Sequence, residues 1–86
     1  MNHSTPLQAV QAAAELVGGV TVLARLVGVS GPAVTQWATG LRRVPAQRCP
    51  LIERATGGRV RCESLRPDVD WSVLREPIAA WVAHGQ

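Results

Sequence analysis

The sequence predicts an all-α chain, a bundle of about five short helices with a helical extension at its C-terminus. Eighty-six residues make one domain with a modest core, which favours short helices over a layered architecture. Aromatic residues are scarce, three Trp with no Phe or Tyr, which argues against a β-sandwich and against a base-stacking surface for single strands. Apolar residues recur at helical spacing between glycine and proline punctuation.

Met1 to Ser4 reads as a loose end. Thr5-Pro6-Leu7-Gln8 is a helix start: a Thr cap, Pro at the first helical position, and Gln three after the cap. Leu7, Val10, Ala14 and Val17 share one face of this helix, and Gly18-Gly19 stops it. A second helix runs from about Val20 or Thr21 to Val27, and a third from about Gly31 to Thr39 with Gly40 as its C-cap. Together they read as a helix-turn-helix, with Leu23, Ala24, Val27, Val29, Val34 and Trp37 inward. Ala24 must be small because the next helix crosses over it. Gly28 suits the left-handed backbone that ends the second helix, and Ser30 is a favoured cap for the third, whose first turn tolerates Pro32.

Leu41 to Val44 is a connector, and Pro45 opens a fourth helix with Cys49, Ile52 and Ala55 inward. Pro50 removes a backbone donor there, so the helix is expected to restart at that point. Thr56-Gly57-Gly58 ends it. A short fifth helix around Cys62–Leu65 stops before Pro67. Beyond it, Asp70 caps a turn carrying Trp71 and Leu74. Leu74, Ile78, Trp81 and Val82 keep helical spacing across Pro77, as one kinked helix or as two short ones with Pro77 opening the second; the latter is the adopted reading. The expected organisation is a helix-turn-helix unit over 1–66 and, over 67–86, an extension for dimerisation or partner binding.

The charge is unevenly placed. Residues 1–52 hold Arg25, Arg42, Arg43 and Arg48 against Glu15 alone, whereas acids and arginines balance over 53–86, so the whole net charge of +3 falls in the helix-turn-helix part. That is the electrostatic footprint of a nucleic-acid contact, although a small arginine excess also occurs on ordinary solvated surfaces. The N-terminus lacks the pattern of a signal peptide, and no apolar run approaches the roughly 20 residues of a membrane span. A cytoplasmic protein without membrane partners is expected. Cys49 and Cys62 read as buried, reduced thiols, and with His3 and His84 at opposite ends there is no metal-ligand spacing. No cofactor is implied. Ser30, Ser64, Ser72, His3 and His84 form no nucleophile–base set, and no phosphate-cradling glycine loop appears, so no enzyme is expected.

Burying Val34 and Trp37 turns Pro32, Thr35, Gln36 and Thr39 outward, with Gly31 at the mouth of the third helix. This helix is the expected reader of the major groove of operator DNA. The Gln36 amide can donate and accept at once, matching adenine, while Thr35 and Thr39 offer a hydroxyl or a methyl. Gly31 and Pro32 contribute close approach more than chemistry. In isolation these positions would be only a solvated polar face. Phosphate contacts are expected from Thr21 and Ser30 at the two helix starts and from Arg42 and Arg43 beyond the third helix, with Arg25 and Arg48 weaker candidates. Trp37 reads as a core anchor rather than a stacking residue. Leu65, Trp71, Leu74, Ile78 and Trp81 are the candidate dimer or partner contacts.

At GVSGPAVTQW, PAQRCPLIERATGG and LRPDVDW the chain resembles the Cro/CI-type repressors of temperate phages. It resembles more closely the YdaS-type regulators of prophages, often described as proposed antitoxins; the likeness covers roughly Gly18 to Arg75. The resemblance implies a lambda-repressor-like helical domain that binds operator DNA through helix 31–39, transcriptional control, and a neighbouring toxin gene. Related repressors often carry Gln where Val20 stands, leaving Thr21 as the substitute phosphate contact, and a polar residue where Gly31 stands, shifting base reading toward Gln36 and Thr35. Two functions follow as expectations: a homodimeric or higher-order DNA-binding repressor, or an interaction module that captures a toxin or regulator through its C-terminal segment.

Overall fold

The first three helices of the computed structural model, which describes residues 5–74, start and stop where local chemistry demands. Helix α1 (Pro6–Val17) is capped by Thr5, whose hydroxyl accepts the Gln8 N–H at 3.2 Å, with Pro6 in the first turn. Helix α2 (Val20–Val27) ends on Gly28, which takes φ +80°, a conformation that a side chain resists. Helix α3 (Gly31–Thr39) is capped by Ser30, whose Oγ accepts the Ala33 N–H at 3.3 Å, and it ends on Gly40 at φ +82°. A Cβ at Gly40 would also stand 3.1 Å from Leu7 Cδ2, so Leu7 would have to shift by a few tenths of an ångström.

A single 3-10 turn (Ala46–Arg48) leads into α4 (Cys49–Ala55), followed by α5 (Cys62–Leu65) and α6 (Trp71–Leu74). The restart expected near Pro50 occurs at Cys49, which puts Pro50 in the first turn, where its missing donor costs nothing. The loose end before Thr5 and the spacing through Ile78, Trp81 and Val82 lie outside the described residues.

The core is shared by all these elements. Helix α1 packs on α2, α3 and α5, and α4 packs on α2 and α5. Val10, Leu23, Val34, Ile52, Val60 and Leu65 are fully buried at its centre. Ala9, Ala12 and Ala13 are buried as well, so α1 presents a broader and flatter small-residue face than its four-residue stripe implied. Small side chains let neighbouring helix axes approach closely. Leu7, expected inward, lies instead at the rim over Gly40 and is 36% exposed. Ala24 is buried as the helix crossing requires, and Val44 of the connector is also core. Among the described residues no single helix is long and apolar enough to cross a membrane. Helices α1 and α2 pass that test only together, and they are bent by 95°.

Tertiary tethers close the helix ends that local sequence leaves open. The Gln11 amide donates to Ala38 O at 2.8 Å in the last turn of α3, and Arg48 Nη1 donates to Val27 O at 3.2 Å in the last turn of α2. Arg61 gives α5 no side-chain cap; Glu53 Oε1 accepts the Cys62 N–H from across the bundle at 2.9 Å. Thr56 is buried after α4. Its hydroxyl lies 3.1 Å from the carbonyl oxygens of Ile52 and Glu53, donates to one of them, and accepts the Val60 N–H at 3.1 Å.

Thr56→Val keeps the shape and strands the buried Val60 N–H, so it is expected to destabilise the fold by about 1–3 kcal/mol. Urea denaturation checks this: the midpoint falls with little change in slope. An unchanged midpoint would show that the hydroxyl contributes no net stability.

Candidate nucleic-acid interface

Because Val34 and Trp37 are buried, the opposite face of α3 is the exposed one. Pro32, Thr35 and Thr39 are exposed on it, and Gly31 and Gln36 are half-buried. The Gln36 amide makes no hydrogen bond to the described residues, so both its donor and acceptor are available. The two threonines differ from it. Thr35 Oγ1 donates to Gly31 O at 3.2 Å and Thr39 Oγ1 to Gln36 O at 3.3 Å. Their hydroxyl hydrogens are committed to their own helix, which leaves outward lone pairs and methyl groups. They can accept from a base amino group or contact a thymine methyl.

The phosphate candidates flank this face. Thr21 is exposed in the first turn of α2, whose Gly19 cap has no side chain, so the first amides there receive no side-chain acceptor. At the mouth of α3, Ser30 Oγ accepts from Ala33 and keeps its own hydrogen to donate. Arg42 and Arg43 are both exposed past Gly40, and the Arg42 N–H bonds to Gln36 O at 3.2 Å, pinning the connector to the end of α3. An open groove of about 570 Å³ beside α3 brings together Gln36, Arg42, Arg43, Gln47 and Arg48. Gln47 escaped the sequence reading. Its only signal was a polar side chain in the turn just after Pro45.

The weaker cations separate. Arg25 is exposed in the last turn of α2, while Arg48 is only half-exposed and holds the α2 carboxyl end. Arg66 is more structural still: Nη1 donates to Val44 O at 3.0 Å, and Nε and Nη2 grip Asp68 at 2.9 and 2.8 Å. Asp68 also takes Arg43 Nη1 at 3.4 Å. The hydrogen bond from Arg66 holds the Asp68 carboxyl down at about 2, against the opposing effect of desolvation.

Two candidate contacts need correction. Leu65 is fully buried and Trp71 is 5% exposed, with its Nε1 donating to Arg66 O at 2.8 Å. Both belong to the core of this chain, because α5 and α6 fold back on the bundle. The core therefore continues past Pro67 rather than ending near it. Leu74 is exposed, and Ile78 and Trp81 lie outside the described residues. Trp37 is the core anchor it was expected to be. Cys49 and Cys62 are buried thiols outside any disulfide; burial pushes the Cys49 thiol up to about 11, and its Sγ donates to Pro45 O.

A short-helix bundle in which α3 turns a polar face outward, with arginines beyond its end, defines a helix-turn-helix domain of the Cro type. Residues 10–74 match the family described as bacterial toxin YdaS, and the chain belongs to this family. It is 62% identical over 63 residues to YdaS of Escherichia coli (strain K12), described as a proposed transcriptional regulator; the match covers 73% of this chain and 64% of that protein's length. The structure is also similar to the Cro protein from a proposed prophage element, Xfaso 1, of Xylella fastidiosa strain Ann-1. That likeness has a TM-score of 0.66 and 46% identity, and covers 71% of this chain and 92% of the other.

The folded value for Asp68 lies below the ordinary 3.8, so its charged form favours the folded state above about pH 4, and this contribution fades as pH falls toward 2. Asp68→Asn is therefore expected to melt earlier than wild type at neutral pH, with the gap closing between pH 4 and 2. Thermal melts across that range test it. A gap independent of pH would rule the linkage out.

Proposed function

We propose that this chain is a sequence-specific DNA-binding transcriptional regulator that lays α3 in the major groove of an operator. The observation that carries this reading is the unpaired Gln36 amide on the outward face of α3, between the side-chain-free amides of α2 and the exposed Arg42. The family match and the likeness to a Cro protein support it. Gln36 reads adenine, Thr35 and Thr39 accept from bases or meet thymine methyls, and Gly31 and Pro32 let the helix end approach. Thr21, Ser30, Arg42 and Arg43 hold phosphates and set the register. No catalytic role is assigned, and the protein works in the cytoplasm.

A homodimer would place two α3 helices about one DNA turn apart on a pseudo-palindromic site. With Leu65 and Trp71 committed to the core, Leu74 and the residues after it are what remains of the candidate contacts. A second reading, capture of a partner protein such as a toxin through the C-terminal segment, has only weak support: the family's description, bacterial toxin YdaS, touches on toxins but applies the word to the family itself. A chain ending near Leu74 separates the two readings. It loses self-association in the first and loses only the foreign partner in the second.

DNA selected from a random pool provides the test. Binding should weaken steeply with added salt. Gln36→Ala should lose about 1–3 kcal/mol on the selected site and little on random DNA, narrowing the gap between them. Arg42→Ala should weaken both together and lower the salt slope by about one. Equal losses on both DNAs for Gln36→Ala would remove it from base reading.

A further inference from the structure

Arg42 and Arg43 leave the same end of α3 but are held differently. Arg42 has no side-chain partner among the described residues, whereas Arg43 Nη1 sits 3.4 Å from Asp68 Oδ2. Arg43 does not position that carboxylate. Arg66 does, through two shorter bonds, and Arg66 is itself fastened to Val44 O and only 19% exposed. Trp71, in the core, locks the Arg66 carbonyl from the other side. The negative charge is thus built into the scaffold, and the exposed arginine swings to it. Arg42, Arg43, Arg66 and Asp68 meet around one cleft of about 300 Å³ behind the end of α3.

We propose that Asp68 restrains DNA binding by competing with backbone phosphate for Arg43. This rests on the DNA-binding reading above and on Arg43 as a phosphate contact. To reach a phosphate, Arg43 must give up a carboxylate, and the incoming phosphate approaches within a Debye length of a fixed like charge. The Arg43–Asp68 pair is exposed and long, so the restraint is modest and readily reversed. The Asp68 carboxyl is held near 2, so the restraint does not relax over the physiological pH range. It weakens operator and random DNA alike, and residence then depends on what α3 adds by base contact. Phosphate affinity alone would otherwise hold the protein on any sequence.

The experiment compares Asp68→Asn with Asp70→Asn on a short labelled duplex of random sequence, by fluorescence anisotropy at low salt. Both remove one negative charge. Asp70 bonds to Ser72, not to Arg43, so it reports the effect of net charge alone. Asp68→Asn is expected to tighten binding about two- to fivefold more than Asp70→Asn, and Arg43→Ala should abolish that excess. Equal gains for the two variants, or an excess that survives Arg43→Ala, would overturn the role of Asp68. A comparison that leaves Asp68 intact guards against an unstable variant: Arg42→Ala should cost more affinity than Arg43→Ala, since only Arg43 must first be released. Equal or reversed losses would overturn the proposal. Failure of the wild-type chain to bind the selected site or the random duplex would overturn the DNA-binding reading and this one together.

Discussion

Helix α3 buries only Val34 and Trp37, and these two side chains fix its rotation about its own axis. Every functional statement about Thr35, Gln36 and Thr39 depends on that rotation, since neighbours on a helix are separated by about 100°. The seat for these anchors comes from elsewhere in the chain. Small residues on α1 and Ala24 on α2 let three helices meet closely, and Gly40 leaves room for Leu7 against the end of α3. Gln11 then ties α1 to the last turn of α3, so translation along the axis is restrained as well as rotation. The outcome is a short reading helix held at both ends by a core far larger than itself.

The second half of the chain completes that support with further core side chains, Ile52, Val60, Leu65 and Trp71 among them, and with polar contacts between segments. Arg48 holds the α2 carboxyl end, Glu53 caps α5, and Thr56 closes the turn between them. Arg66 joins the connector at Val44 to Asp68 and, through its carbonyl, to Trp71. Several of these groups are arginines in a chain whose net positive charge suits DNA. Sorting the arginines around the helix-turn-helix by contact separates two that build the domain, Arg48 and Arg66, from two left to face a ligand, Arg25 and Arg42. Arg43 stands between the two groups.

The division also changes how the C-terminal part is understood. From the sequence, Trp71 could either pack against the domain or join an exposed apolar patch for a partner. Its indole fills the bundle and satisfies its own N–H internally. Of the candidate partner contacts among the described residues, Leu74, one turn later, is the one left exposed, and removing residues 67–74 would take Trp71 out of the core.

The sequence by itself determined most boundaries of the first three helices and the restart at α4, because they are set within a few residues: Thr5 and Ser30 as caps, Gly28 and Gly40 as left-handed stops, Pro50 in a first turn. It also determined the outward face of α3, because a buried Val and Trp three apart leave one side of a helix free. The tertiary structure alone decided which polar groups remain available. Gln47 joins the groove beside Gln36, and Arg43 meets an aspartate 25 residues away. It likewise decided that Leu65 and Trp71 are core. Caps and periodicity act over one or two helical turns and so leave a trace in neighbouring residues. Hydrogen bonds and burial between distant segments depend on how the helices pack, and no local pattern records that.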